Sequence, residues 1–396
     1  MNHPNFSTEN YLIEGVKFMP TNEEKQAVWQ AYYNRKPTRV PVTYGVNPRV
    51  VLFNKKLNPY GITFEDYFNS ASALIEIQIR FTEYVGDCIN QYRDTAIGRP
   101  KHVNFYVDSQ NSYDSLYFGT PLEFRDGQVA DTLPILAGAD KYRIFDMDVE
   151  HPLDNPFIKH CIKRYEDIKG AIPRLSYNDM TFSVSPPLMG FDGHLTIATC
   201  LRGVELYSDI YEDPEYFHRL LDFIHNAVII RNRALAEFFG QTAFNGQRGG
   251  FADDSIQLIS LKTYKEMILP YHKKWYALWS VEGPHGMHLC GDATRHFPTI
   301  VEELHVNSFD TGYPVDFAWL RKAVGNDVEI SGGPEVGILL NGTSKQVYNR
   351  TKEILQSGIM EGGRFILRDA NNLPPNVPEE NLSAMYNGCL EHGNYQ

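Results

Sequence analysis

The chain has 396 residues, 42% of them apolar and 22% charged, a composition that fits a folded globular protein and excludes disordered and fibrous classes. No window approaches the ~20 consecutive apolar residues of a membrane-spanning helix. Lys plus Arg number 37 against 49 Asp plus Glu, and the resulting net charge of −12 repels phosphate backbones, so nucleic acid is not an expected partner.

The N-terminal stretch MNHPNFSTENYLIEG lacks a basic segment followed by an apolar one, so no secretory signal is expected and the chain reads as cytoplasmic. Five cysteines, an odd number scattered along the chain, read as free thiols of a reducing compartment, where one with a role is a metal ligand or a nucleophile. Residues 1–36 read as a helical arm, and 37–396 as one barrel-sized body with no fixed-period repeat. RVPVTY (39–44), VNFYV (103–107), TFSVS (181–185) and the glycine-rich FNGQRGG (244–250) are strand candidates, with helices expected over 66–85, 213–239 and 258–280. Residues 108–175, rich in Asp, Tyr and Pro, read as an inserted elaboration.

Four βα units follow. Strand segments GMHLC (286–290), VNSFD (306–310), DVEIS (327–331) and RFILRD (364–369) alternate with helical TRHFPTIVEEL, FAWLRKAVG, TSKQVYNRTKEILQSG and ENLSAMYNGCLEH. Thr343, Gly325, Gly358 and Pro378 supply start and stop signals around these helices. Right-handed crossovers make the strands parallel, and four early plus four late strands predict an α/β fold of the (β/α)8 TIM-barrel type.

Chemistry in such a barrel sits at the strand ends. His288 and Cys290 are two apart on one strand and share a face, forming a zinc half-site; a polar His beside an inert buried thiol is the structural alternative. Asp310 closes the next strand and Asp369 the last, each a possible third ligand or a helix-capping carboxylate. Asp253-Asp254 follow the glycine-rich strand, either to orient a ligand or to cap the helix at 258–280. His272, His285, His296 and His305 each fit a helix or loop surface.

At these residues the chain resembles a known family. HLCGDATRHFPTIVEELHVNSFDTGYPVDFAWLRKAVG, SGGPEVGILLNGTSKQV and GGRFILRDANNLPPNVPEENLSAM are similar to the C-terminal half of the uroporphyrinogen decarboxylase-like superfamily, with its corrinoid-linked methyltransferases as the nearest branch. LTIATCLRGVELYSDIYEDPEYFHRLLDFI, DDSIQLISLKTYKEMILPYHKKW and NRKPTRVPV extend the resemblance over most of 34–385; it is weakest over 108–175. The family is an α/β barrel. Its tetrapyrrole decarboxylases carry an Arg-rich N-terminal signature, whereas here YGVNPRVV holds only Arg49. In the methyltransferases the counterparts of His288 and Cys290 bind zinc, but their third ligand, a Cys in a segment like G-C-G-I, falls at Asn371.

With one thiolate lost, a carboxylate would complete the set and leave a stronger Lewis acid, suited to an oxygen leaving group. The resemblance thus implies a zinc-dependent methyltransferase that moves a methyl group from a small methylated, perhaps methoxylated aromatic, compound to a corrinoid protein. His288, Cys290 and Asp310 are the expected ligands, with Asp369 second to Asp310. Asp254, Asp369 and Asn371 are the expected catalytic residues, and Asn371 suits hydrogen bonding to substrate. A homodimer is compatible with the size. Two alternatives stay open: a metal-free decarboxylase of a carboxylated ring using Asp254 or Asp369 as acid, and a non-catalytic ligand-binding barrel.

Overall fold

The protein is described from a computed structural model that covers residues 19–245, 249–279 and 285–395. Residues 1–18 of the expected arm, and parts of two other expected segments at 246–248 and 280–284, lie outside it. The arm's described part is a helix, Asn22–Tyr33, started by a Thr21–Glu24 capping box.

Among the described residues nine strands follow: β1 (His102–Phe105), β2 (Leu122–Glu123), β3 (Asp131–Thr132), β4 (Thr181–Val184), β5 (Gly250–Ala252), β6 (His285–Leu289), β7 (Val306–Thr311), β8 (Glu329–Gly332) and β9 (Phe365–Leu367). β5 to β9 form a parallel sheet in chain order. Residues 41–43 extend it past β9, Leu367 N donating to Pro41 O and Thr43 N to Leu367 O, both at 2.9 Å. β1 and β4 pair in parallel, and Ala252 N joins the sheet to the stretch after β4 through Phe191 O at 3.2 Å. These are the eight parallel segments expected of a TIM-type α/β barrel. β2 and β3 form a small antiparallel hairpin inside the elaboration at 108–175.

Alternation along β5 to β9 decides which face meets which layer. Phe251, Met287, Leu289, Phe309, Ile330, Phe365 and Leu367 are buried in the core, each contributing ~1.5–3 kcal/mol of burial. Phe309, for example, packs edge-on against Phe297 of the helix Phe297–Leu304, at 4.8 Å between ring centroids. The other face turns inward in two registered layers. The lower runs Gly250, Gly286, Ser308, Glu329; the upper runs Ala252, His288, Asp310, Ser331.

Polar contacts gather on Glu329 of the lower layer. Buried Tyr32 donates to Glu329 Oε2 at 2.9 Å, and Arg364 donates to the same oxygen at 2.7 Å. Ser308 Oγ donates to Glu329 Oε1 at 2.9 Å.

Two expected elements shift. Of the glycine-rich run at 244–250, residues 246–248 lie outside the described residues, and β5 is described from Gly250, where Phe251 supplies an outward anchor. The helix expected over 258–280 starts at Leu261, capped by Ser260, and carries a π turn, Tyr264–Ile268, just before Pro270, whose missing N–H breaks the regular ladder.

Candidate metal centre

His288 lies in the upper layer, and its two ring nitrogens face different partners. Nδ1 lies 2.9 Å from Asp310 Oδ2, its register partner on β7. Nε2 lies 3.2 Å from Cys290 Sγ and 3.9 Å from Asp254 Oδ1. Asp254 Oδ1 also accepts from Cys290 N at 2.7 Å, which ties the turn after β5 to the end of β6. One donor atom from each of Asp254, His288 and Cys290 lies within 4.8 Å of the other two. A carboxylate, an imidazole and a thiol are zinc donors, and three such ligands are the protein share of an open site, so these residues fit the metal.

The geometry therefore groups Asp254, not Asp310, with the H-x-C pair. Asp310 sits behind the imidazole: besides Nδ1, its Oδ2 accepts from Arg368 Nη1 at 2.7 Å. Arg368 carries no signal of this role in the sequence, because only the β7–β9 arrangement brings it to Asp310. Burial acts to lower the His288 pKa, but hydrogen bonds and charge from Asp310 and Cys290 outweigh it and raise it to about 10. Burial pushes the Asp254 carboxyl up, partly offset by His288.

Asp369 and Asn371 are not brought to this trio. Asp369 is fully buried; Oδ1 accepts from Gly45 N at 2.7 Å, and Oδ2 has no protein partner. Burial, countered by Arg368, raises its carboxyl to about 7. Asn371 takes a positive φ of 125° and presents its carbonyl to Arg368 Nη2.

Asp253 caps a helix, but a different one from that expected. Its fully buried carboxylate accepts from Leu195 N, Thr196 N and Thr196 Oγ1 at 3.1, 2.9 and 2.8 Å, at the start of the helix His194–Arg202. His272 Nε2 adds a fourth contact at 2.9 Å, with Tyr264 OH 3.1 Å from the other ring nitrogen. His194, Asp253 and His272 also converge within 4.8 Å, but all three are buried and the carboxylate is already engaged four times, so they form a joint that fixes Asp254 next to it. Gly193 permits the approach: a Cβ there would lie 2.4 Å from Asp253 Cγ. His272, His285 and His296 are buried, not on the surface as expected, because the helices and strand carrying them pack these rings inward; His305 is exposed. Asp192 was also missed. It accepts from Tyr113 OH at 2.7 Å and is pushed up to about 7, first by burial and then by Asp114.

Residues 185–392 match the family described as uroporphyrinogen decarboxylase (URO-D). A methylated-thiol–coenzyme M methyltransferase of Methanosarcina mazei is 33% identical over 202 residues, 50% of this chain and 50% of that protein. A methylcobamide:CoM methyltransferase, MtbA, of Methanosarcina acetivorans is 25% identical over 255 residues, 60% of this chain and 71% of that protein. The chain thus spans about half the length of the first of these relatives. A solved methyltransferase from Methanosarcina mazei superposes with a TM-score of 0.62 at 15% identity, over 94% of this chain and 98% of the other, and shares its fold. With over half of its length inside the family match and its strands in the barrel order, the chain belongs to the uroporphyrinogen decarboxylase family, in its corrinoid-linked methyltransferase branch.

Proposed function

We propose that this protein is a zinc-dependent methyltransferase that passes a methyl group from a small methylated compound to a corrinoid carried by a partner protein. The observation that carries the reading is the convergence of Asp254, His288 and Cys290 at the strand ends of a methyltransferase-branch barrel. Zinc held there would act as a Lewis acid, stabilising negative charge on a departing heteroatom.

The chain's own residues prepare that role. Asp310, braced by Arg368, holds His288 through Nδ1 and keeps Nε2 aimed at Cys290 and Asp254, the carboxylate–histidine arrangement that orients metal ligands. The buried Asp253 joint fixes the backbone that delivers Asp254. A ligand set with a single thiolate favours an oxygen leaving group, and hence a methyl ether or methanol as donor.

The names of the relatives support a second reading of the donor, a methylated thiol. Metal analysis after zinc-supplemented expression tests the centre: about one zinc per chain is expected, and less than ~0.2 in a folded protein would sink the proposal. Supplying reduced corrinoid with methanol, a methoxyphenol or a methylated thiol then separates the donor readings by which one yields methylcorrinoid.

A further inference from the structure

The stretch after β4 carries the inward-facing upper layer one strand past β5. Bonds in a parallel pair are slanted, so an N–H donates to the residue before its partner, as Gly286 N does to Gly249 O while Gly286 pairs with Gly250. Ala252 N donates to Phe191 O, which sets Ala252 opposite Asp192. Side-chain alternation agrees: Phe191 packs outward on Trp275, and its neighbour Asp192 therefore turns inward. The upper layer then begins Asp192, Ala252, His288. Two strand spacings, ~10 Å, separate the first backbone from the third, with the methyl group of Ala252 between them. Asp310 and Arg368 take the β7 side of the His288 ring, and Nε2, Cys290 and Asp254 face the side on which Asp192 lies.

Asp192 is held rigidly but keeps one oxygen free. Tyr113 OH, from the helix Tyr113–Tyr117, donates to Oδ1 at 2.7 Å. Asp192 N donates to Asp114 Oδ2 at 2.8 Å, and fully buried Arg231, from the helix Pro214–Phe238, donates to Asp114 Oδ1 at 2.6 Å and to Gly190 O at 3.0 Å. The guanidinium is thus taken up by Asp114. Structural carboxylates here spend both oxygens, as Asp114 and Asp253 do, whereas Asp192 Oδ2 makes no hydrogen bond among the described residues. With Oδ1 accepting from Tyr113, the proton of the neutral acid sits on Oδ2. The titratable and charged groups around it are Tyr113, Asp114, Arg231, Asp254 and Cys200. Burial, then Asp114, hold the carboxyl at about 7, so a proton can be given and regained at neutral pH.

We propose that Asp192 is the acid that gives a proton to the heteroatom leaving the methyl donor. The inference rests on the methyl-transfer reading and adds a group which that reading lacks. The step balances. The methyl carbon bonds to the corrinoid's Co(I) through that metal's electron pair, and the bond from carbon to the heteroatom breaks with its pair on the heteroatom. Asp192 Oδ2 gives its proton to that pair, a neutral alcohol or thiol departs, and the carboxylate takes a proton from water.

Stopped-flow transfer to a free Co(I) corrinoid tests the assignment, with the zinc-loaded full chain and whichever of methanol, a methoxyphenol or a methylated thiol it uses. In Asp192→Asn we expect the rate to fall at least ~100-fold, with zinc affinity by chelator competition and donor affinity by calorimetry unchanged. The decline of the wild-type rate as pH rises past about 7 should vanish in the same variant. Tyr113→Phe withdraws the hydrogen bond that favours the charged carboxyl, so it should move that decline to higher pH. Added imidazolium should restore rate to Asp192→Ala. On the zinc-free chain, infrared difference spectra of wild type against Asp192→Asn should show one protonated carboxyl that titrates near about 7. A folded Asp192→Asn that transfers methyl at the wild-type rate, a slowed one that keeps the pH decline, or the absence of that carboxyl overturns the acid and leaves the transfer reading standing. If the wild-type chain moves no methyl from any of these donors, the transfer reading fails and the acid with it.

Discussion

Asp254 and Asp310 are both 3.9 Å or less from a His288 nitrogen, but from different nitrogens, and under the proposed zinc reading that difference makes Asp254 a ligand and Asp310 an orienting group. Chelator competition at fixed pH should rank them: Asp254→Asn and Cys290→Ser each lose more zinc affinity than Asp310→Asn, for which an outer-shell loss of ~10- to 100-fold is expected. A larger loss in Asp310→Asn than in Asp254→Asn would reverse the assignment. Asp369 makes a separate, pH-dependent prediction. Its carboxyl is raised to about 7 from an ordinary 3.8, so between those values the folded chain holds a proton that the unfolded chain has lost. Stability then falls as pH rises through that window and levels above about 7. Asp369→Asn removes this decline, worth at most ~4 kcal/mol for about three pH units, so the variant should gain melting temperature relative to wild type at pH 8 and not at pH 4. The H-x-C pair was readable in the sequence because strand alternation fixes it, whereas Asp254 needed a turn whose position depends on a buried joint far away in sequence.

Among the elements, glycine marks where backbones must come close. A Cβ on Gly312 would lie 2.8 Å from Cys290 Cα and 2.9 Å from its Sγ, so Gly312→Ala should displace the end of β6, weaken zinc binding and cost ~1–3 kcal/mol. Gly337, inside the helix Val336–Asn341 with nothing within 4 Å of a built Cβ, should respond oppositely to the same change, gaining ~0.5–1 kcal/mol. Thermal melts of the two variants check both signs. The late βα units were legible because their strands are apolar runs fenced by helix signals such as the Thr343 capping box. The start of β5 was not, since a glycine run carries no side-chain pattern, and the break at Tyr264–Ile268 was masked by good helical composition.

For the whole molecule, metal and fold should be linked through mass action. Zinc at about 100 times its Kd adds ~2.7 kcal/mol to the folded state, so the melting temperature should rise by several degrees in wild type and not in Cys290→Ser, as differential scanning fluorimetry would show. The barrel class could be read from eight alternating segments. The brace from Arg368 could not, because it depends on which strands become neighbours. One feature also gives the molecule an optical readout. Trp275 is buried against Phe191, 4.2 Å between centroids, beside the Asp253 joint, and Trp279 lies 5.4 Å from Trp275. The edge of the Trp279 ring stands 3.0 Å from the position a Cβ on Gly249 would take, at the rim of the lumen cavity. With Trp29 and Trp319 replaced by phenylalanine, the remaining emission comes from this pair alone. Its intensity and colour would then follow any loosening of the turn that carries Asp254, in real time and without turnover.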